Sequence, residues 1–97
     1  MRSLRVKHMK RPYLEVTFRH GRPLAAYLYL SRSPGDRSRS TTPAGVGMII
    51  DYTEAGIPIG IEITAPGKVT IADINTVLAS VNAPALTAED IAPLRAA

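Results

Sequence analysis

The chain has no cysteine, which excludes a disulfide framework, a thiolate metal site and a cysteine nucleophile. No apolar run approaches the roughly 18–20 residues that span a bilayer. The basic stretch Met1–Arg11 leads into an alternating segment instead of a continuous apolar one, so no secretory signal is expected. Histidine is nearly absent too: His8 lies in the N-terminal stretch and His20 in an Arg-Gly-Pro turn, and both read as exposed turn residues. The serines gather in one polar loop, leaving no anchor for a Ser-His-Asp arrangement. Gly45 and Gly47 enter a strand, so no glycine-rich phosphate cradle precedes a helix. A cytoplasmic protein without enzymatic activity, cofactor, metal or membrane contact is expected.

What remains is the composition of one small globular domain. Ninety-seven residues stand near the lower limit for burying an adequate core. With 45% hydrophobic and 21% charged residues the chain is too apolar for wholesale disorder. Charge is unevenly placed. Residues 1–43 hold ten Lys/Arg against Glu15 and Asp36, and residues 44–97 hold two against six acids, so +8 and −4 give the net +4. The basic half suits phosphates or an acidic partner, and equally the acidic half of a second copy.

The run Val46–Ile63 is the most specific part of the sequence. Val46, Met48, Ile50 and Tyr52 alternate with smaller or polar residues, and past the turn Ile57, Ile59, Ile61 and Ile63 do the same. A four-residue loop, Thr53–Gly56, predicts the pairs Tyr52–Ile57, Ile50–Ile59, Met48–Ile61 and Val46–Ile63, with all eight on one face. Gly56 stands where a type I turn needs positive φ.

Upstream, Met1–Pro12 reads as a frayed basic leader and residues 13–97 as the domain. Tyr13–Arg19 alternates, with Leu14, Val16 and Phe18 on one face and Glu15, Thr17 and Arg19 on the other. His20–Pro23 is a turn. Ala25–Ser31 is a second strand, with Leu28 and Leu30 opposite Tyr27 and Tyr29. Arg32–Pro43 reads as a mobile polar loop. Beyond residue 67 the period becomes helical, with Ile71, Ile74, Val77, Leu78 and Val81 in step. Thr70 and Asp73 form a capping-box pattern with Val69 and Ile74 as its staple, and Asn82 and Pro84 end the helix. Thr87 and Asp90 repeat the pattern for a short helix, Ala88–Arg95, that Pro93 should limit. The expected fold is α+β: a four-stranded antiparallel meander sheet followed by one longer and one short C-terminal helix.

Several segments carry a family resemblance: Met9-Lys10, Ala26-Tyr27-Leu28-Tyr29-Leu30, and Ile50-Asp51-Tyr52 through Gly56, Pro58, Gly60, Ile61, Glu62 and Ile63. Over Met9–Ile63 the chain resembles the small, mostly bacterial proteins grouped as domain of unknown function 2283. The resemblance implies a small α+β fold and, from that family's frequent setting beside toxin-like genes, an antitoxin-like role. It also implies Met9 as the natural start. Two features depart from the family. Its first turn usually carries aspartates, where this chain reads Arg19-His20-Gly21-Arg22-Pro23, and the middle loop here is unusually rich in arginine.

Three sets of residues are candidates for chemistry. Asp51, Glu54 and Glu62 form a local acidic group, to be weighed as a metal or proton-transfer site against a solvated strand face with a turn acid; no histidine completes a site, and the solvated face is favoured. Tyr27 and Tyr29 are expected to share a face with Thr17 and Arg19. There they would stack on bases, or form a second apolar layer or a dimer contact, where tyrosine is also favoured. The two C-terminal helices could be read as helix-turn-helix, but Asp73, Glu89 and Asp90 suit sheet-covering helices better. Tyr27, Tyr29, Arg32, Arg37 and Arg39 are therefore the candidate partner-binding residues. The expected partner is a second copy, with a toxin-like protein beside it. Nucleic acid bound through the basic half is the alternative.

Overall fold

A two-residue reversal opens the fold at His20 and Gly21, which both take positive φ, 53° and 77°. Paired positive values are what a type I′ hairpin turn demands, and they join β1 (Tyr13–Arg19) to β2 (Arg22–Tyr29). The computed structural model describes residues 13–95. The expected leader, with His8 and the Met9 start, lies outside the described residues, as do residues 96–97. In this hairpin Leu14 faces Leu28 and Val16 faces Ala26. The register then slips, with Thr17 facing Ala25 but Phe18 facing Pro23, so Leu24 is the extra residue of a bulge. Phe18 and Leu24 are both exposed. Phe18 thus leaves the buried row that its alternation with Leu14 and Val16 predicts.

The sheet has five antiparallel strands in the order β1-β2-β5-β4-β3, with β3 at Ser40–Pro43, β4 at Met48–Tyr52 and β5 at Pro58–Ile63. This corrects the expected four-stranded meander in two ways. The chain leaves β2 through residues 30–39, crosses to the far edge and lays down β3 inside what reads as a mobile loop. The next two strands then return, so that β5, not β4, pairs with β2. The physical reason is burial. Ile61 sits between Leu28 and Ile50, and Ile63 between Ala26 and Met48, which gives the most apolar strand two neighbours. Ser40-Thr41-Thr42-Pro43 is exposed throughout, as a polar edge strand can be. Apolar periodicity cannot detect such a strand.

The β4–β5 register also differs from expectation, by two residues: Met48 faces Ile63 and Ile50 faces Ile61. Each residue of the shift has its own cause. Thr53 N–H donates to the Ile57 carbonyl at 2.9 Å, which shortens the loop to Glu54–Gly56, with Gly56 at φ 83° as a three-residue loop requires. A bulge follows, since Tyr52 faces Pro58 and Asp51 faces Gly60, leaving Ile59 unmatched. Two one-residue slips restore parity, so Met48, Ile50, Ile61 and Ile63 all enter the core. Val46 and Ile57, expected on the same buried face, are instead 70% and 53% exposed.

The helices close one side of the sheet. After a 3-10 turn at Pro66–Lys68, α1 (Ile71–Ser80) buries Ile74, Val77 and Leu78 in the core shared with the strands. Thr70 caps it as its sequence predicts. Thr70 N–H donates to Asp73 Oδ2 at 3.0 Å and Asp73 N–H to Thr70 Oγ1 at 3.1 Å. Its other end is a Schellman closure around Asn82 (φ 59°): Ala83 N–H donates to the Leu78 carbonyl and Asn82 N–H to that of Ala79. Thr87 and Asp90 repeat the reciprocal cap. The helix expected from Ala88, however, starts only at Ala92. Residues 88–91 are turns, and α2 (Ala92–Arg95) contains Pro93 in its first turn, where a proline costs no hydrogen bond. Asn75 ties this segment to α1, with Oδ1 accepting from Leu86 N–H at 2.8 Å and Nδ2 donating to its carbonyl at 3.1 Å. Thr70→Ala should lower stability by about 1 kcal/mol, read as a reduced denaturant midpoint with unchanged slope.

Candidate functional site

Strand alternation that sends Leu28, Ile50 and Ile61 to the helices sends a second set to the opposite side of the sheet. Tyr13 and Glu15 come from β1, Tyr27 and Tyr29 from β2, Gly60 and Glu62 from β5, and Ile49 and Asp51 from β4. No described element packs over this face, since both helices share the core on the other side.

The tyrosines form a connected group. Tyr13 faces Tyr29 across the strands with ring centroids 5.8 Å apart, and Tyr27 meets Tyr29 edge-on at 4.7 Å. The Arg32 guanidinium stands 5.6 Å from the centre of the Tyr29 ring, within cation–π range. Both hydroxyls of β2 are anchored. Tyr29 donates to Glu15 Oε1 at 2.9 Å, and Tyr27 donates to Asp51 Oδ2 at 2.6 Å. Burial and then the hydrogen bond to Asp51 push the Tyr27 phenol well above its usual range, and Tyr29 is raised for the corresponding reasons with Glu15. Because the folded values are raised, this stabilisation is complete below about pH 10 and is lost as pH rises through them.

Tyr27 reaches Asp51 by crossing the central strand. Asp51 faces Gly60 directly, and Tyr27 lies diagonally from Gly60, opposite Glu62. A Cβ at position 60 would occupy the space of the Tyr27 ring and hydroxyl. Gly60 is therefore a floor under a side chain that straps β2 to β4.

The candidate residues are only partly brought together. Tyr27, Tyr29 and Arg32 form one group. Arg39 lies at the other end of the crossing, where its N–H donates to the Tyr52 carbonyl beside β3, and Arg37 is exposed between them. Of the expected neighbours, Thr17 keeps its place on this face, opposite Ala25 and in step with Glu15 and Tyr27, whereas Arg19 lies beyond the bulge opposite Arg22. The hydroxyls of Tyr27 and Tyr29 meet carboxylates, and Arg32 stands over the Tyr29 ring. Asp51 and Glu62 do share this face, with Glu54 in the turn, yet among the described residues no group of three or more His, Asp or Glu is placed to hold a metal ion. Among those residues no helix is long and apolar enough to cross a membrane. Tyr13, Glu15 and Gly60 are the members of the site that sequence reasoning missed. The signal for Gly60 was a glycine inside an isoleucine strand, which marks a close approach of another group. Comparison with protein-family models, with curated proteins and with solved structures gave no match.

Proposed function

We propose that this chain is a cytoplasmic, non-enzymatic protein-interaction module that works as a homodimer through the open sheet face, in an antitoxin-like role. The observation that carries the reading is the Tyr13–Tyr29–Tyr27 group, with the hydroxyls of Tyr27 and Tyr29 tied to carboxylates. Tied aromatics lose little side-chain freedom on association, which is why such surfaces bind well for their area. Glu15, Asp51 and Glu62 favour a cationic partner surface over a phosphate backbone, and Arg32, Arg37 and Arg39 on a second copy supply one. The antitoxin-like part of the reading rests on the resemblance over Met9–Ile63.

Sedimentation equilibrium at about 100 µM should give twice the chain mass of 10.4 kDa. Tyr29→Ala should weaken the dimer by about tenfold or more, because it removes the centre of the aromatic group. A 10.4 kDa species alone at that concentration rejects the dimer. The nucleic-acid reading rests on the basic half of the chain. It requires a mobility shift at low salt whose log affinity falls with log salt at a slope of about −3 to −5.

A further inference from the structure

We propose that the groove between the start of β2, the 3-10 turn and α2 binds a small organic oxyanion, a carboxylate or phosphate head carried on an apolar body. The open groove has a volume of about 890 Å³ and is lined by Arg22, Lys68 and Arg95 together with Pro23, Val69 and Leu94.

The placement of charge is the first argument. Residues 44–97 carry six acids and only two cations, Lys68 and Arg95. Both cations line this groove, and the start of β2 adds Arg22. Among the described residues no carboxylate lines it. Like charges gathered in one concavity repel unless an anion joins them, and the concavity strengthens the field that attracts it.

Preorganisation is the second. The Arg95 guanidinium donates to the Val69 carbonyl at 2.6 Å and to the Pro66 carbonyl at 3.3 Å, which fixes the planar fork at the groove wall. Two of its five N–H donors are used there, leaving others for a ligand. The helix end is not the binding element, because the capping box commits the Thr70 and Asp73 N–H groups. Half-buried Pro23 and buried Val69 and Leu94 line the groove beside the cations, so part of its lining is apolar. A ligand with both an anionic and an apolar part uses the whole site.

The test is an amide-shift titration of the full chain at constant ionic strength, with phenyl phosphate, benzoate, inorganic phosphate and chloride as probes. Phenyl phosphate or benzoate should give saturable shifts centred on Lys68, Val69 and Leu94. Half-saturation should come at about tenfold lower concentration than with inorganic phosphate, because the ring packs on the apolar part of the lining. Whichever organic anion binds tighter identifies the head group. Lys68→Gln and Arg22→Gln, both at exposed positions and so harmless to folding, should each weaken binding about fivefold or more. The proposal is overturned by shifts that grow linearly and equally with chloride, by saturable shifts that ignore both substitutions, or by shifts centred on Arg37 and Arg39.

Discussion

Gly60→Ala should cost about 2–3 kcal/mol, a large effect for one methyl group in a β-strand. Alanine is no worse than glycine in extended backbone, so conformational preference predicts a small gain. The cost comes from the other side of the position, where the new Cβ would enter the Tyr27 ring. Tyr27 would have to swing away, breaking its hydrogen bond to Asp51 and its edge contact with Tyr29. A double-mutant cycle separates this cause from any general intolerance of the strand. In a Tyr27→Ala background the space is vacated, and Gly60→Ala should then be neutral or stabilising by a few tenths of a kcal/mol. Equal costs in the two backgrounds, measured by urea unfolding, would show that Tyr27 does not set the requirement for glycine.

Met48→Asp should be more damaging still, by about 4 kcal/mol or more, against the roughly 5–15 kcal/mol a domain has in total. Met48 is 2% exposed and faces Ile63 within the main core. Among the described residues no polar or charged side chain is buried in that core to receive a carboxylate. The damage has a pH signature with a definite sign. Burial raises the folded-state pKa of the new carboxyl above its unfolded value of about 3.9, so between the two values the folded state binds more protons. Stability relative to wild type should therefore be worst above the folded pKa and should recover as pH falls toward 4. A deficit that does not change between pH 7 and pH 4 would mean that the side chain reaches water.

Which parts of this fold were legible depends on where each part keeps its information. The caps at Thr70–Asp73 and Thr87–Asp90 were readable because the side chains that satisfy the backbone are three residues away. The faces of β4 and β5 were readable because parity survives a two-residue shift. Their register was not, because it depends on how the Thr53–Ile57 turn closes and on the bulge at Ile59. β3 was missed because Ser40–Pro43 carries no apolar residue to alternate, and the crossing that precedes it puts β5, not β4, beside β2. At the candidate site, Tyr27 and Tyr29 were placed on the correct face, yet their partners Glu15 and Asp51 lie 14 and 24 residues away. No local period encodes those contacts. The groove cations are more widely scattered, with Arg22 and Lys68 meeting only because the 3-10 turn packs on β2.

The two borders of the sheet limit how copies of this chain can approach each other. One border, β1, lies against the β2 bulge at Leu24 from Thr17 onward and ends in Arg19; the other, β3, is four residues long and closes on Pro43, which has no N–H to offer. Neither presents a long, straight row of open donors and acceptors, so strand-to-strand zippering between copies is discouraged at both ends. Concentrated samples should therefore associate into closed, countable assemblies instead of growing into fibres.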